Sequence, residues 1–171
     1  VTLTGDATAT QIEADHLLAI DGDTTGLITI DSSATSLSGS YSNVHDVLTQ
    51  NKTRANANDA TGVATPTISG LDNLAITLTD ATVTLTQYLD IQNNYTTGVI
   101  TATLAADAIT DLLAETTAGT NDIVSGNAFS VEVTTDSVTA TQLLELYGMT
   151  SGLITMTHTG AANEPTITGT A

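Results

Sequence analysis

The sequence predicts an α/β protein, a right-handed solenoid of parallel strands joined by short helical crossovers, and three observations predict it. Threonine supplies 37 of 171 residues and alanine 22, while aromatics are only 3%. Phrases that alternate apolar residues with Thr recur along the chain. Each is followed by a short phrase with helical spacing. Such a chain must be held by many small β-branched contacts, because Val, Ile and Thr fit a pleated surface, and strands separated by helical crossovers must pair in parallel.

The first strand phrase is VTLTGD (1–6), matched by ITLTD (76–80) and VEVTTD (131–136). All three close on an acid, Asp6, Asp80 or Asp136, suited to capping the helix that follows. The helical phrases come next: ADHLLAI (14–20), TQYLDI (86–91) and TQLLEL (141–146). A Gly turn preceded by Thr or Ser then feeds a second strand, GLITI (26–30), GVITA (98–102) or GLITM (152–156). A second helix follows in two copies, YSNVHDVLTQ (41–50) and ADAITDLLAE (106–115). There Val44, Val47 and Leu48 match Ile109, Leu112 and Leu113 at the i, i+3, i+4 spacing of one helix face. The third copy passes through HTGAANE (158–164) directly to PTITG (165–169), which echoes PTISG (66–70).

These matches predict one array over 1–171, with repeat units at about 1–75, 76–130 and 131–171. Residues 50–65 have no apolar period and hold both basic residues, Lys52 and Arg54, as befits an exposed loop. Because five to ten residues can also form an irregular arc, an all-β solenoid is the alternative. Neither end shows a capping element. The edge strands Val1, Thr2, Leu3 and Thr4, and Thr166, Ile167 and Thr168, are therefore the expected assembly contacts with neighbouring repeats or identical subunits.

Composition removes whole classes of function. Two Lys+Arg against 19 Asp+Glu give a net charge of −17, which repels a phosphate backbone and excludes nucleic acid as a partner. Apolar runs of four or five residues fall far short of the roughly 20 needed for a membrane-spanning helix. With no Cys there is neither a disulfide framework nor a thiolate metal site.

The phrases TATQLLEL (139–146), SGLITMT (151–157), GVITATLAADAITDLLA (98–114) and PTISGLDNLAITLTD (66–80) resemble the tandem Thr/Ala-rich repeats of giant extracellular surface proteins of cyanobacteria and other aquatic bacteria. The resemblance covers most of the chain apart from 50–65. It implies a bacterial, extracellular spacer, coat or adhesion role, often beside calcium-binding repeats, and supplies no catalytic residues.

Chemistry-bearing residues are sparse. His16 falls where the other copies carry Gln87 and Gln142, His45 falls where its counterpart is Thr110, and His158 lies among Thr and Gly. No paired-His zinc spacing and no nucleophile turn accompanies them, so the chain is expected to be non-enzymatic, with no catalytic or cofactor-binding residues. Asp21, Asp23 and Gly26 spell D-x-D-x-x-G, the start of a calcium loop without its distal Glu, which makes Asp21 and Asp23 the candidate metal ligands. Asn51-Lys52-Thr53 and Asn94-Tyr95-Thr96 are sequons for glycans.

Three functions follow as expectations. The first is a structural or adhesive repeat segment of an extracellular cell-surface protein. The second is the subunit of an extracellular filament or surface layer that polymerises through its terminal strands. The third is a calcium-dependent carbohydrate-binding module.

Overall fold

The computed structural model describes residues 2–3, 11–24, 26–56, 67–114, 123, 125–157 and 166–169. The chain forms two compact units, one of Val1–Asp80 with Asn94–Gly98, the other of Ala81–Asn93 with Val99–Ala171.

The first unit carries β1 (Thr2–Leu3), β2 (Gln11–Glu13), α1 (Ala14–Asp23), β3 (Ile28–Ile30), β4 (Ser36–Gly39), α2 (Tyr41–Asn56), β5 (Ile68–Ser69) and β6 (Ala75–Leu78). Its strands form two parallel ladders. In one, Thr2 faces Thr29 and Thr29 faces Ser69. In the other, Ile12 faces Leu37 and Leu37 faces Ile76. Each round of chain therefore contributes two short strands and a helix before the next round lies beside it. The alternation of apolar residues with Thr or Ser puts Ile28, Ile30, Leu37, Ile76 and Leu78 inside, against Leu17 of α1 and Val44, Val47 and Leu48 of α2.

The second unit carries α3 (Leu85–Asn94, of which residues to Asn93 belong here), β7 (Ile100–Thr103), α4 (Ile109–Ala114), β8 (Ala128–Val133), β9 (Ser137–Thr139), α5 (Ala140–Met149), β10 (Ile154–Met156) and β11 (Thr166–Thr168). Thr101 faces Ala128, Ile154 faces Val131, and Ile167 faces Val138, all in parallel. Ile100, Ala102, Phe129, Val131 and Val133 fill the interior with Tyr88, Ile91 and Leu146 from the helices. Tyr88 and Phe129 meet edge to face at 5.4 Å, an aromatic pair in a core otherwise built from aliphatics.

The fold class is thus mixed α/β with parallel strand pairing. The helices displace the all-β alternative, because the short phrases carry their own start signals. Thr139 accepts from the Gln142 amide while the Gln142 side chain accepts from the Thr139 amide, a complete capping box at α5. Thr84 and Gln87 make the same pair at α3. At α1 the box is lost: Glu13 and His16 hold the equivalent places, Glu13 makes no cap, and the His16 amide turns to the Asp15 carboxylate at 2.9 Å.

One boundary and one side-chain role differ from the sequence reading. α2 runs to Asn56, so the first residues of the expected loop 50–65 are helical, and 57–66 lie outside the described residues. Of the recurrent strand-end acids, Asp80 works differently from that expectation, and Asp6 lies outside the described residues. The Asp80 carboxylate accepts from the Tyr41 amide at 2.6 Å, capping α2 of the neighbouring round rather than the helix that follows Asp80. Likewise Thr135 accepts from the Ile109 amide at the start of α4.

Candidate functional site

The ends of α1, α3 and α5 lead into Thr-x-Gly turns, and those after α3 and α5 bind a carbonyl of another strand segment. After α3, the buried Thr96 hydroxyl donates to the Leu74 carbonyl at 3.0 Å and accepts from the Gly98 amide at 2.9 Å. After α5, Thr150 does the same, donating to the Phe129 carbonyl at 2.5 Å and accepting from the Gly152 amide at 2.9 Å. Glycine is required here by proximity. A Cβ on Gly98 would lie 2.2 Å from the Leu74 carbonyl oxygen, and one on Gly152 2.1 Å from that of Phe129. After α1, Thr24 still accepts from the Gly26 amide, yet a Cβ on Gly26 would meet only the Thr24 hydroxyl at 3.5 Å.

Asn127 extends this stitching in the second unit. Its side chain accepts from the Ile100 amide at 2.8 Å and donates to Gln92 of α3 at 3.1 Å, satisfying polar groups inside the core. The Tyr88 hydroxyl is buried beside that side chain without a well-aligned hydrogen bond. Burial pushes the phenol well above the usual tyrosine range, opposed in part by Asn127.

Asp21 and Asp23 lie in the last turn of α1. Among the described residues no group of three His, Cys, Asp or Glu side chains gathers where a metal could be held. Asp31, in the turn after β3, accepts from the Ser33 amide at 2.8 Å, which holds its carboxyl below the usual value.

His16 is exposed at the start of α1, and His158 and Asp6 lie outside the described residues. His45 sits with tyrosines: its Nε2 is 3.3 Å from the Tyr95 hydroxyl, its ring 5.6 Å from that of Tyr41, and Thr49 donates to the same Tyr95 oxygen at 3.1 Å. Tyr95 enters this arrangement from the turn after α3, so the cluster ties α2 to that turn.

Of the expected assembly residues, Val1 and Thr4 lie outside the described residues. Thr2 and Leu3 form β1, paired on one side with β3. Thr166, Ile167 and Thr168 form β11, paired on one side with β9 and exposed along its length. Among the described residues β11 has no partner on its other edge.

The exposed flank of α5 is a feature the sequence did not announce. Leu144 and Tyr147 are each 71% exposed, Leu153 just before β10 is 70% exposed, and Ile167 of β11 is 59% exposed. The aligned phrases carry no signal of it, since Leu144 occupies the place of Leu89, which is 8% exposed.

The class that this geometry defines is a mixed α/β protein with parallel strand pairing. No helix among the described residues is long and apolar enough to cross a membrane. No family model, curated protein or solved structure matches the chain.

Proposed function

We propose that this chain is a non-enzymatic segment of a right-handed α/β solenoid in an extracellular cell-surface protein, where it acts as a spacer or adhesive coat. One observation carries the reading. The chain's polar side chains are spent on the neighbouring round: Thr96 on Leu74, Thr150 on Phe129, Asp80 on Tyr41 and Thr135 on Ile109. A protein whose rounds are built to bind each other works by extension, with stability a sum over neighbours. The net charge of −17 keeps such an array solvated and apart from others of its kind. The resemblance of its phrases to repeats of giant bacterial surface proteins supports the same reading and its location.

A second reading has its own observation. The open edge of β11 and the uncovered α5 flank suit a filament or surface-layer subunit.

Small-angle scattering of the purified chain tests the solenoid, because stacked rounds require a rod-like cross-section regime; scattering from a sphere refutes it. Antibody labelling of intact cells tests the location, and protection of the epitope until lysis refutes that part. Repeating the scattering with a chelator reports whether calcium takes any part.

A further inference from the structure

We infer that Asn94 is a glycan acceptor with a closing window: the unfolded chain presents its sequon, and folding of the first unit shuts it. The sequon Asn94-Tyr95-Thr96 begins on the last residue of α3 and runs into the turn that follows. N-linked transfer needs the Asn amide and the Thr hydroxyl presented together on an accessible stretch of chain. In the folded chain only the first is on offer. Asn94 is exposed, but Thr96 is 8% exposed, and its hydroxyl already donates to the Leu74 carbonyl at 3.0 Å and accepts from the Gly98 amide at 2.9 Å. Tyr95 between them is half-buried, its hydroxyl accepting from Thr49 at 3.1 Å and lying 3.3 Å from Nε2 of His45. A transferase must break these bonds, and strand the buried Leu74 carbonyl, before it can seat the sequon.

Order along the chain sets the window. His45, Thr49 and Leu74 all precede the sequon, and together with Asn94–Gly98 they belong to the first unit. None of the closing contacts reaches beyond Gly98, so the sequon shuts once that unit has formed, whatever follows it. The other sequon, Asn51-Lys52-Thr53, lies wholly within α2, and its Asn51 amide donates to Asp72 at 3.1 Å, so the same unit withdraws it too. The donor is an oligosaccharide linked to a lipid through pyrophosphate. Asn94 Nδ2 bonds to the anomeric carbon, the carbon–oxygen bond to the pyrophosphate breaks, the pyrophosphate leaves with the electron pair, and one amide proton passes to a base of the transferase. Because Asn94 stays exposed, a sugar attached within the window is compatible with the finished fold.

Cell-free translation of the full chain carrying Asn51→Gln, which leaves Asn94 as the sole sequon, tests this. A purified oligosaccharyltransferase and its lipid-linked donor are present during synthesis in one reaction and added to the finished, folded chain in the other, and intact mass reads the product. The mass of one oligosaccharide should appear during synthesis and vanish with Asn94→Gln. The folded chain should take at least about tenfold less in the same time, because transfer then waits on local opening. Gly98→Ala, which drives a methyl toward the Leu74 carbonyl and leaves all three sequon residues in place, should restore transfer to the finished chain. Equal modification of nascent and folded chain would overturn the closure, as would a Gly98→Ala chain that stays refractory. No sugar in either reaction would overturn the acceptor itself. None of these outcomes bears on the solenoid reading, which scattering tests by itself.

Discussion

α3 and α5 carry nearly the same phrase and live in different surroundings. Both open on a Thr–Gln capping box and close on a Thr-x-Gly staple. Yet Leu89 is 8% exposed and Leu144 is 71% exposed. Their likeness shows what the local sequence can specify, namely a helix, its start and the turn that ends it. Their difference shows what it cannot, because coverage of the flank comes from whichever round of chain lies next.

The sharpest way to break this comparison is to truncate both leucines. Leu89→Ala should cost about 2–5 kcal/mol, and Leu144→Ala within about 0.5 kcal/mol when measured by denaturant titration at concentrations that keep the chain monomeric. Equal losses would mean that α5 is covered in solution even as a monomer.

Next come the staples. Gly98→Ala and Gly152→Ala each drive a methyl into a carbonyl oxygen of the neighbouring round, for a loss of about 1–3 kcal/mol or more. Gly26→Ala, with no such carbonyl near it, should change stability by no more than about 0.5 kcal/mol. Thermal melts of the three variants decide it, and a loss at Gly26 matching the other two would sink the close-approach argument.

Caps give a smaller effect. Thr139→Ala and Thr84→Ala should each lose about 1 kcal/mol, whereas Glu13→Thr with His16→Gln, which restores the box at α1, should gain a similar amount. No gain would mean that the α1 start is already satisfied by Asp15.

The smallest effect is at Tyr88. Its folded-state ionisation lies above the unfolded value near 10, so the stability it supports is intact below that pH. Stability then falls as pH rises past it, because the unfolded chain releases the proton first. Tyr88→Phe should be close to neutral at pH 7, having removed a buried hydroxyl that lacks a well-aligned partner, and should flatten the alkaline limb of the stability profile. An unchanged limb would assign it to the other tyrosines.

Much of the architecture was legible because the signals are local. GLITI, GVITA and GLITM end in β3, β7 and β10, and the phrases at 14–20, 86–91 and 141–146 fall within α1, α3 and α5. Other features were closed to the sequence for a physical reason. β4, with the sequence SLSG, has little strand character of its own and forms because Leu37 is fixed between Ile12 and Ile76. The partners of Asp80, Thr96, Thr135 and Thr150 are set by the register between rounds. Tyr41 lies 39 residues from the acid that caps it, and no local pattern encodes that distance. At the candidate site, the edge strand 166–168 was legible as an uncapped apolar/Thr pattern, while the α5 flank was not, since Leu144 and Leu89 look alike until their neighbours are known.

The extent of α2 has a consequence for survival among digestive enzymes. Lys52 and Arg54 are the chain's only basic side chains, and both fall in the last two turns of that helix. Proteases that cut after basic residues therefore have two peptide bonds to attack in this sequence, both within the last turns of α2 rather than in an extended strand that a protease cleft grips. The folded chain would resist trypsin-like enzymes by scarcity of targets as much as by stability, and a brief tryptic digest should leave most of it whole.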